Sequence, residues 1–135
     1  MFEASDRFSA WGRHRDMSDL KAIAERRERA HQRLLALDSN VYKAFLTMEQ
    51  AAYADGALSK RHKELVAIGI SVVINCESCM QWHIEQAARA NASFEEVLEA
   101  VGVGIEMGGG PATVAARFAL EAMDAAYKRG AVGRS

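Results

Sequence analysis

Residues 59–75 read Ser59-Lys60-Arg61-His62-Lys63-Glu64-Leu65-Val66-Ala67-Ile68-Gly69-Ile70-Ser71-Val72-Val73-Ile74-Asn75, and the next eight read Cys76-Glu77-Ser78-Cys79-Met80-Gln81-Trp82-His83. The first stretch is apolar on nearly every face and rich in β-branched residues, so its periodicity alone fits a buried helix or a buried strand. Its length decides for helix, because strands usually run about 4–8 residues. Ser59 is placed to cap it.

Outward from this stretch the signals stay helical. Ser18 can cap a first helix carrying Leu20, Ile23, Ala24, Arg27, Ala30, His31 and Leu34 at three-to-four spacing. Asp38 or Ser39 restarts a second with Val41, Phe45, Met48 and Ala52, and Asp55-Gly56 stops it. A fourth helix is expected over about residues 76–90, ended by Asn91. Ser93 with Glu96 forms a capping box for a fifth. Gly108-Gly109-Gly110-Pro111 closes that helix and opens a sixth, which runs to about Tyr127. Nothing after Ile74 alternates with period two. The expected fold is all-α, a compact bundle of five to six helices with the C-x-x-C at a helix start.

The 135 residues suit one domain. Residues 1–16 are polar with isolated Phe2, Phe8 and Trp11, which suggests an N-terminal arm able to dock on another subunit. Residues 17–135 form the helical domain. Seventeen Lys+Arg against eighteen Asp+Glu leave a net charge of −1, which argues against a nucleic-acid binder. The longest apolar run, residues 65–74, is too short to span a membrane. The first residues carry acids and no apolar core, so no secretory signal is expected and the cytoplasm is the expected compartment.

On a helix, Cys76 and Cys79 are i,i+3 neighbours and Cys79 and His83 are i,i+4 neighbours, so all three share one stripe. Two thiols so placed can close a disulfide locally, and a helix N-terminus favours thiolate. His83 is placed to exchange a proton with Cys79, whereas Cys76 lies about 10 Å of axial rise away. In one continuous rod Glu64 would lie ~18 Å from Cys76. A reversal near Asn75 would instead set Glu64 opposite a position near residue 86, about one turn from His83. The inferred spatial order is Glu64, His83, Cys79, Cys76: a carboxylate orients an imidazole, the imidazole takes a thiol proton, and a second thiol resolves the product.

Glu64, the C-x-x-C-x-x-x-H of Cys76, Cys79 and His83, Ser93-Phe94-Glu95-Glu96-Val97 and the Gly108-Gly109-Gly110-Pro111 turn together resemble the alkylhydroperoxidase D-like branch of the carboxymuconolactone decarboxylase family. The resemblance covers about residues 55–127. It implies an all-α fold and thiol-dependent peroxide reduction without metal or bound organic cofactor. It implies that Cys79 attacks peroxide, that Cys76 resolves it and meets an external lipoyl- or thioredoxin-like dithiol, and that Glu64 and His83 relay protons. It also implies a homo-trimer or homo-hexamer. The founding peroxidases carry histidine just before the second cysteine, where this chain has Ser78. The helix-terminus effect, about 0.3–1 kcal/mol, favours Cys76 as the more acidic thiol. An imidazolium partner lowers a thiol pKa by several units, which favours Cys79 as nucleophile.

Other readings compete. Cys76, Cys79, His83 and His62 could hold zinc, although His62 stands apart from a second ligand pair. An apolar β-branched run before C-x-x-C also suits a thioredoxin-like protein, but no strands follow. A non-enzymatic redox-responsive or assembly module and a lactone decarboxylase are the alternatives of function. His14, His31 and His62 read as surface or interface residues, Trp82 and Met80 as core or subunit-contact residues, and Lys60-Arg61-His62-Lys63 as a solvated first turn. The apolar excess of the third, fifth and sixth helices supports assembly.

Overall fold

The computed structural model describes residues 17–129. The expected arm over residues 1–16, with His14, lies outside them. Six helices follow one another: α1 Met17–Ala36, α2 Asn40–Tyr53, α3 Lys60–Val73, α4 Glu77–Arg89, α5 Phe94–Gly108 and α6 Gly110–Ala126. No strand occurs among the described residues, and none of these helices is long and apolar enough to cross a membrane.

Helix ends follow the local chemistry. Ser39, Ser59 and Ser93 are N-caps whose side chains accept the N–H of Tyr42, His62 and Glu96. At Ser93 the capping box is complete, because Glu96 accepts the Ser93 N–H at 2.7 Å. Ser18 is an exception: it lies within α1 instead of capping it, because the chain is already helical at Met17. Helix α2 ends at Tyr53, short of the expected stop, and Asp55 instead accepts the Lys60 N–H at 2.7 Å, supporting the start of α3.

Four ends close on a left-handed residue that is not glycine: Asp38, Asn75, Asn91 and Lys128. At Asn75 (φ 53°) the Cys76 N–H reaches the Ser71 carbonyl and the Asn75 N–H the Val72 carbonyl, the paired bonds of a Schellman end. The next residue, Cys76, caps α4. One tight reversal therefore ends α3 and sets the cysteine pair at the first turn of α4. Between α5 and α6 the reversal is a single residue, Gly109, at φ 68° and ψ −149°, which side-chain-bearing residues avoid.

Helices α3 to α6 form the bundle, with α3 packed on α4, α5 and α6, and α4 on α6. The core is Ile68 and Val72 of α3, Met80 and Ile84 of α4, Val97 and Val101 of α5, and Phe118 and Met123 of α6. Gly104 lets α5 close on α3: a Cβ there would stand 2.7 Å from the Gly69 carbonyl oxygen. Helix α1 adds Leu20 to the core, whereas α2 buries no residue. Apolar side chains also stay exposed on α3, α5 and α6, as expected, and on α2.

Candidate active site

Cys76 and Cys79 are joined by a disulfide, with Cα atoms 5.2 Å apart. The Cys79 N–H points at the Cys76 sulfur at 3.3 Å, so the cap position aims a free helix amide at that sulfur. Both residues are half-buried.

The reversal at Asn75 lays α3 beside α4 and brings Glu64 against His83. Glu64 is 1% exposed. Its Oε2 accepts from His83 Nδ1 at 2.7 Å and its Oε1 accepts from Lys60 Nζ at 2.8 Å. Burial alone would push the Glu64 carboxyl up, but the His83 and Lys60 hydrogen bonds and charges outweigh it, and its pKa lies below the ordinary value. An ionised carboxylate only accepts, so Nδ1 carries a proton and Nε2 is where the ring gains or loses one. The Tyr53 ring packs on the imidazole at 5.2 Å, tilted by 32°. Burial and then the negative charges of Glu64 and Glu49 push the Tyr53 phenol up.

His83 and Cys79 face one cavity of about 370 Å³. Helix α1 contributes Arg27 and His31 to its wall, α2 Tyr42 and Phe45, and α4 Trp82. His31 Nδ1 and the Tyr42 hydroxyl lie 2.6 Å apart and tie the two outer helices together. The structure thus joins Glu64 to His83 by a hydrogen bond and Cys76 to Cys79 by a disulfide. The link from His83 to Cys79 is their four-residue spacing and the shared cavity, because in the disulfide form no hydrogen bond connects them.

Several readings gain detail. Lys60 is a partly solvated first-turn charge that also reaches Glu64 and sets its ammonium 5.7 Å from the Tyr53 ring centre. The i,i+4 spacing of Lys60 and Glu64 was the available signal. Trp82 lines the cavity, whereas Met80 is fully buried. His31, read as a surface or interface residue, is half-buried and lines the cavity. His62, the fourth ligand of the zinc reading, lies 2.9 Å from the Ser59 hydroxyl through Nδ1. Arg27, Tyr42 and Tyr53 carry no local mark of their place, which depends on how α1 and α2 cross α4.

The sequence profile of the carboxymuconolactone decarboxylase family matches residues 39–122. An uncharacterized protein of the cox locus of Paracoccus denitrificans is 37% identical over 86 residues, 64% of this chain and 78% of that protein. An uncharacterized protein from Cupriavidus necator is 40% identical over 82 residues, 61% of this chain and 73% of its own length. The fold is similar to the crystal structure of an apo carboxymuconolactone decarboxylase family protein from Legionella pneumophila, with a TM-score of 0.76 and 32% identity over 79% of this chain and 96% of that one. It is also similar to a Thermotoga maritima protein, with a TM-score of 0.74 and 26% identity over 80% and 95% of the two chains. With the matched region spanning most of the helical bundle, this chain belongs to the carboxymuconolactone decarboxylase family.

Proposed function

We propose that the protein is a thiol-dependent hydroperoxide reductase of the alkylhydroperoxidase D-like kind, working without metal or bound organic cofactor. The observation that carries this reading is the 2.7 Å Glu64–His83 hydrogen bond, placed one helical turn from Cys79 of the disulfide-bonded pair. A buried carboxylate that fixes an imidazole beside a thiol is the general arrangement for activating a nucleophile.

In the reduced enzyme His83 Nε2 takes the Cys79 proton. The thiolate attacks the terminal oxygen of the hydroperoxide, the O–O bond breaks, and Cys79 becomes a sulfenic acid. The departing alkoxide takes the proton from His83 and leaves as alcohol. The Cys76 thiol then attacks the Cys79 sulfur, releasing water and forming the disulfide. An external dithiol, lipoyl- or thioredoxin-like, reduces that disulfide by exchange and leaves as its own disulfide. Cys76 at the helix cap is the sulfur assigned to meet it. The reducing cytoplasm suits such a cycle.

A second crystal structure of the same Thermotoga maritima protein aligns at 24% identity and so is a likeness of fold, with an involvement in an antioxidative response suggested for that protein. Assembly belongs to the same proposal. A groove of about 590 Å³ between α3 and α5 is lined by Val66, Ile70, Val73, Val103 and Met107. Val103 is 63% and Met107 72% exposed. This apolar face is assigned to subunit contact in a homo-trimer or homo-hexamer.

Peroxide consumption with a dithiol donor tests the activity. Many turnovers per subunit are expected, with loss to background in Cys79→Ser. A single stoichiometric oxidation would instead mark a redox-responsive module. Lactone decarboxylation surviving Cys76→Ser with Cys79→Ser would mark the decarboxylase chemistry of the superfamily.

A further inference from the structure

Arg27 of α1 reaches the first turn of α4, 51 residues away in sequence. Its Nη1 lies 3.3 Å from the Ser78 carbonyl oxygen, 3.2 Å from Ser78 Oγ and 3.2 Å from Gln81 Oε1. Two protons on one nitrogen serve three acceptors, all from one helical turn. Gln81 is buried and its Nε2 donates to the Leu20 carbonyl at 2.7 Å, a second tie between α1 and α4. The guanidinium carbon also sits 5.2 Å from the Trp82 ring centre, within cation–π range. The charge is thus fixed against the residue that precedes Cys79, and Arg27 and Cys79 line the same cavity.

We propose that Arg27 is a positioning residue for the cysteine pair: it anchors the Ser78 peptide inside the C-x-x-C turn and holds a permanent positive charge that favours the Cys79 thiolate. The inference rests on the thiol-redox reading above. When a dithiol reduces the disulfide, two electrons pass to the sulfur pair, the donor leaves as its own disulfide, and the Cys79 thiol releases its proton to solvent. A charge that favours this thiolate lowers the Cys79 pKa and stabilises the reduced form, which makes the pair more oxidising. The other titratable groups around the cavity are Glu28 and His31 of α1, Tyr42 and Glu49 of α2 and His83 of α4, with Glu64 and Lys60 of α3 behind His83. Glu28 and Glu49 oppose a thiolate, and Arg27 is the cation bonded to the motif itself.

The rate of alkylation against pH in a Cys76→Ser background gives the Cys79 pKa. Equilibration of the intact pair with a dithiothreitol buffer gives its potential. Neither measurement uses peroxide, so both stay readable if the peroxidase reading fails. Arg27→Gln is expected to raise the Cys79 pKa by about one unit, a tenfold change. At a pH above both pKa values the same tenfold shift in the disulfide equilibrium is ~30 mV toward the more reducing side. Arg27→Lys, which keeps the charge, is expected to restore most of both values. An unchanged pKa in folded Arg27→Gln overturns the proposal, and so does an equal shift in the Lys variant, which would reduce Arg27 to a packing contact. Arg27→Met keeps the stem against Trp82 and supplies the same reading if Gln does not fold.

Discussion

Helices α3 and α4 on one side of the cavity and α1 and α2 on the other are held by different forces. The first pair carries Glu64, Ile68, Val72, Met80 and Ile84, all nearly or fully buried, and is joined by the Asn75 reversal. Among the described residues the second pair buries Leu20 and packs the partly buried Ile23 against the core, and Val41, Phe45 and Met48 of α2 are 82%, 47% and 61% exposed. It is tied down largely by polar contacts: Arg27 and Gln81 between α1 and α4, and His31 with Tyr42 between α1 and α2. The groups assigned to the chemistry therefore sit where burial fixes geometry, and the cavity wall sits where local opening costs least. Under the proposed chemistry, a site that admits both a peroxide and a reductant gains from that division.

The largest expected effect falls on the rigid side. His83→Ala removes the proton acceptor and should slow peroxide turnover by about 10²–10⁴-fold, read from initial rates on folded protein. It also leaves the buried Glu64 carboxylate without one of its two partners, so a lower unfolding midpoint is expected beside it. A loss under tenfold would place the proton elsewhere. Glu64→Gln comes next. It deprives His83 and Lys60 of a buried charge, and because Lys60 is 43% exposed its half is screened by solvent. A stability loss on the order of 2 kcal/mol is expected from urea unfolding at neutral pH. The sign of its pH dependence is fixed. The folded-state pKa of Glu64 is depressed, so its contribution is complete above the ordinary carboxyl value near ~4.3 and fades as pH falls through the folded-state value. The gap between wild type and Glu64→Gln should narrow in acid; a gap that widens there contradicts the ion pair.

Gly104→Ala tests the α3–α5 contact at Gly69 and Val72. The new Cβ would meet backbone at 2.7 Å and Val72 Cβ at 2.9 Å, so a loss of about 1–3 kcal/mol is expected by thermal or urea unfolding. Phe45→Ala, on the looser wall, should cost less than about 0.5 kcal/mol of stability while changing the Michaelis constant for a bulky hydroperoxide. A large stability loss there would erase the contrast between the two halves.

The same contrast separates what the sequence made legible from what it did not. The helical reading of residues 59–75 rests on the length of one continuous stretch, the Ser93 capping box on residues three apart and the reversal near Asn75 on the geometry of two adjoining helices, and all appear in the structure. The reversal was enough to place Glu64 within one turn of its partner. Arg27 reads as one more member of an amphipathic stripe, because its acceptors come from a helix 51 residues on. Lys60 reads as solvated because three cationic or imidazole residues follow it, although only Lys60 is four residues from Glu64. Trp82 reads as core or subunit contact because a large aromatic gives no sign of which face meets a cavity. Lys128 in a left-handed conformation has no sequence signal at all.

Cys79 is proposed as the attacking sulfur, served by His83 and Glu64. The direct test is mass spectrometry of the Cys76→Ser protein after one equivalent of organic hydroperoxide, with a sulfenate-trapping reagent. The account predicts a single adduct on Cys79, formed much more slowly when His83 is also replaced by Ala. No adduct on Cys79, or formation at the same rate without His83, would contradict it.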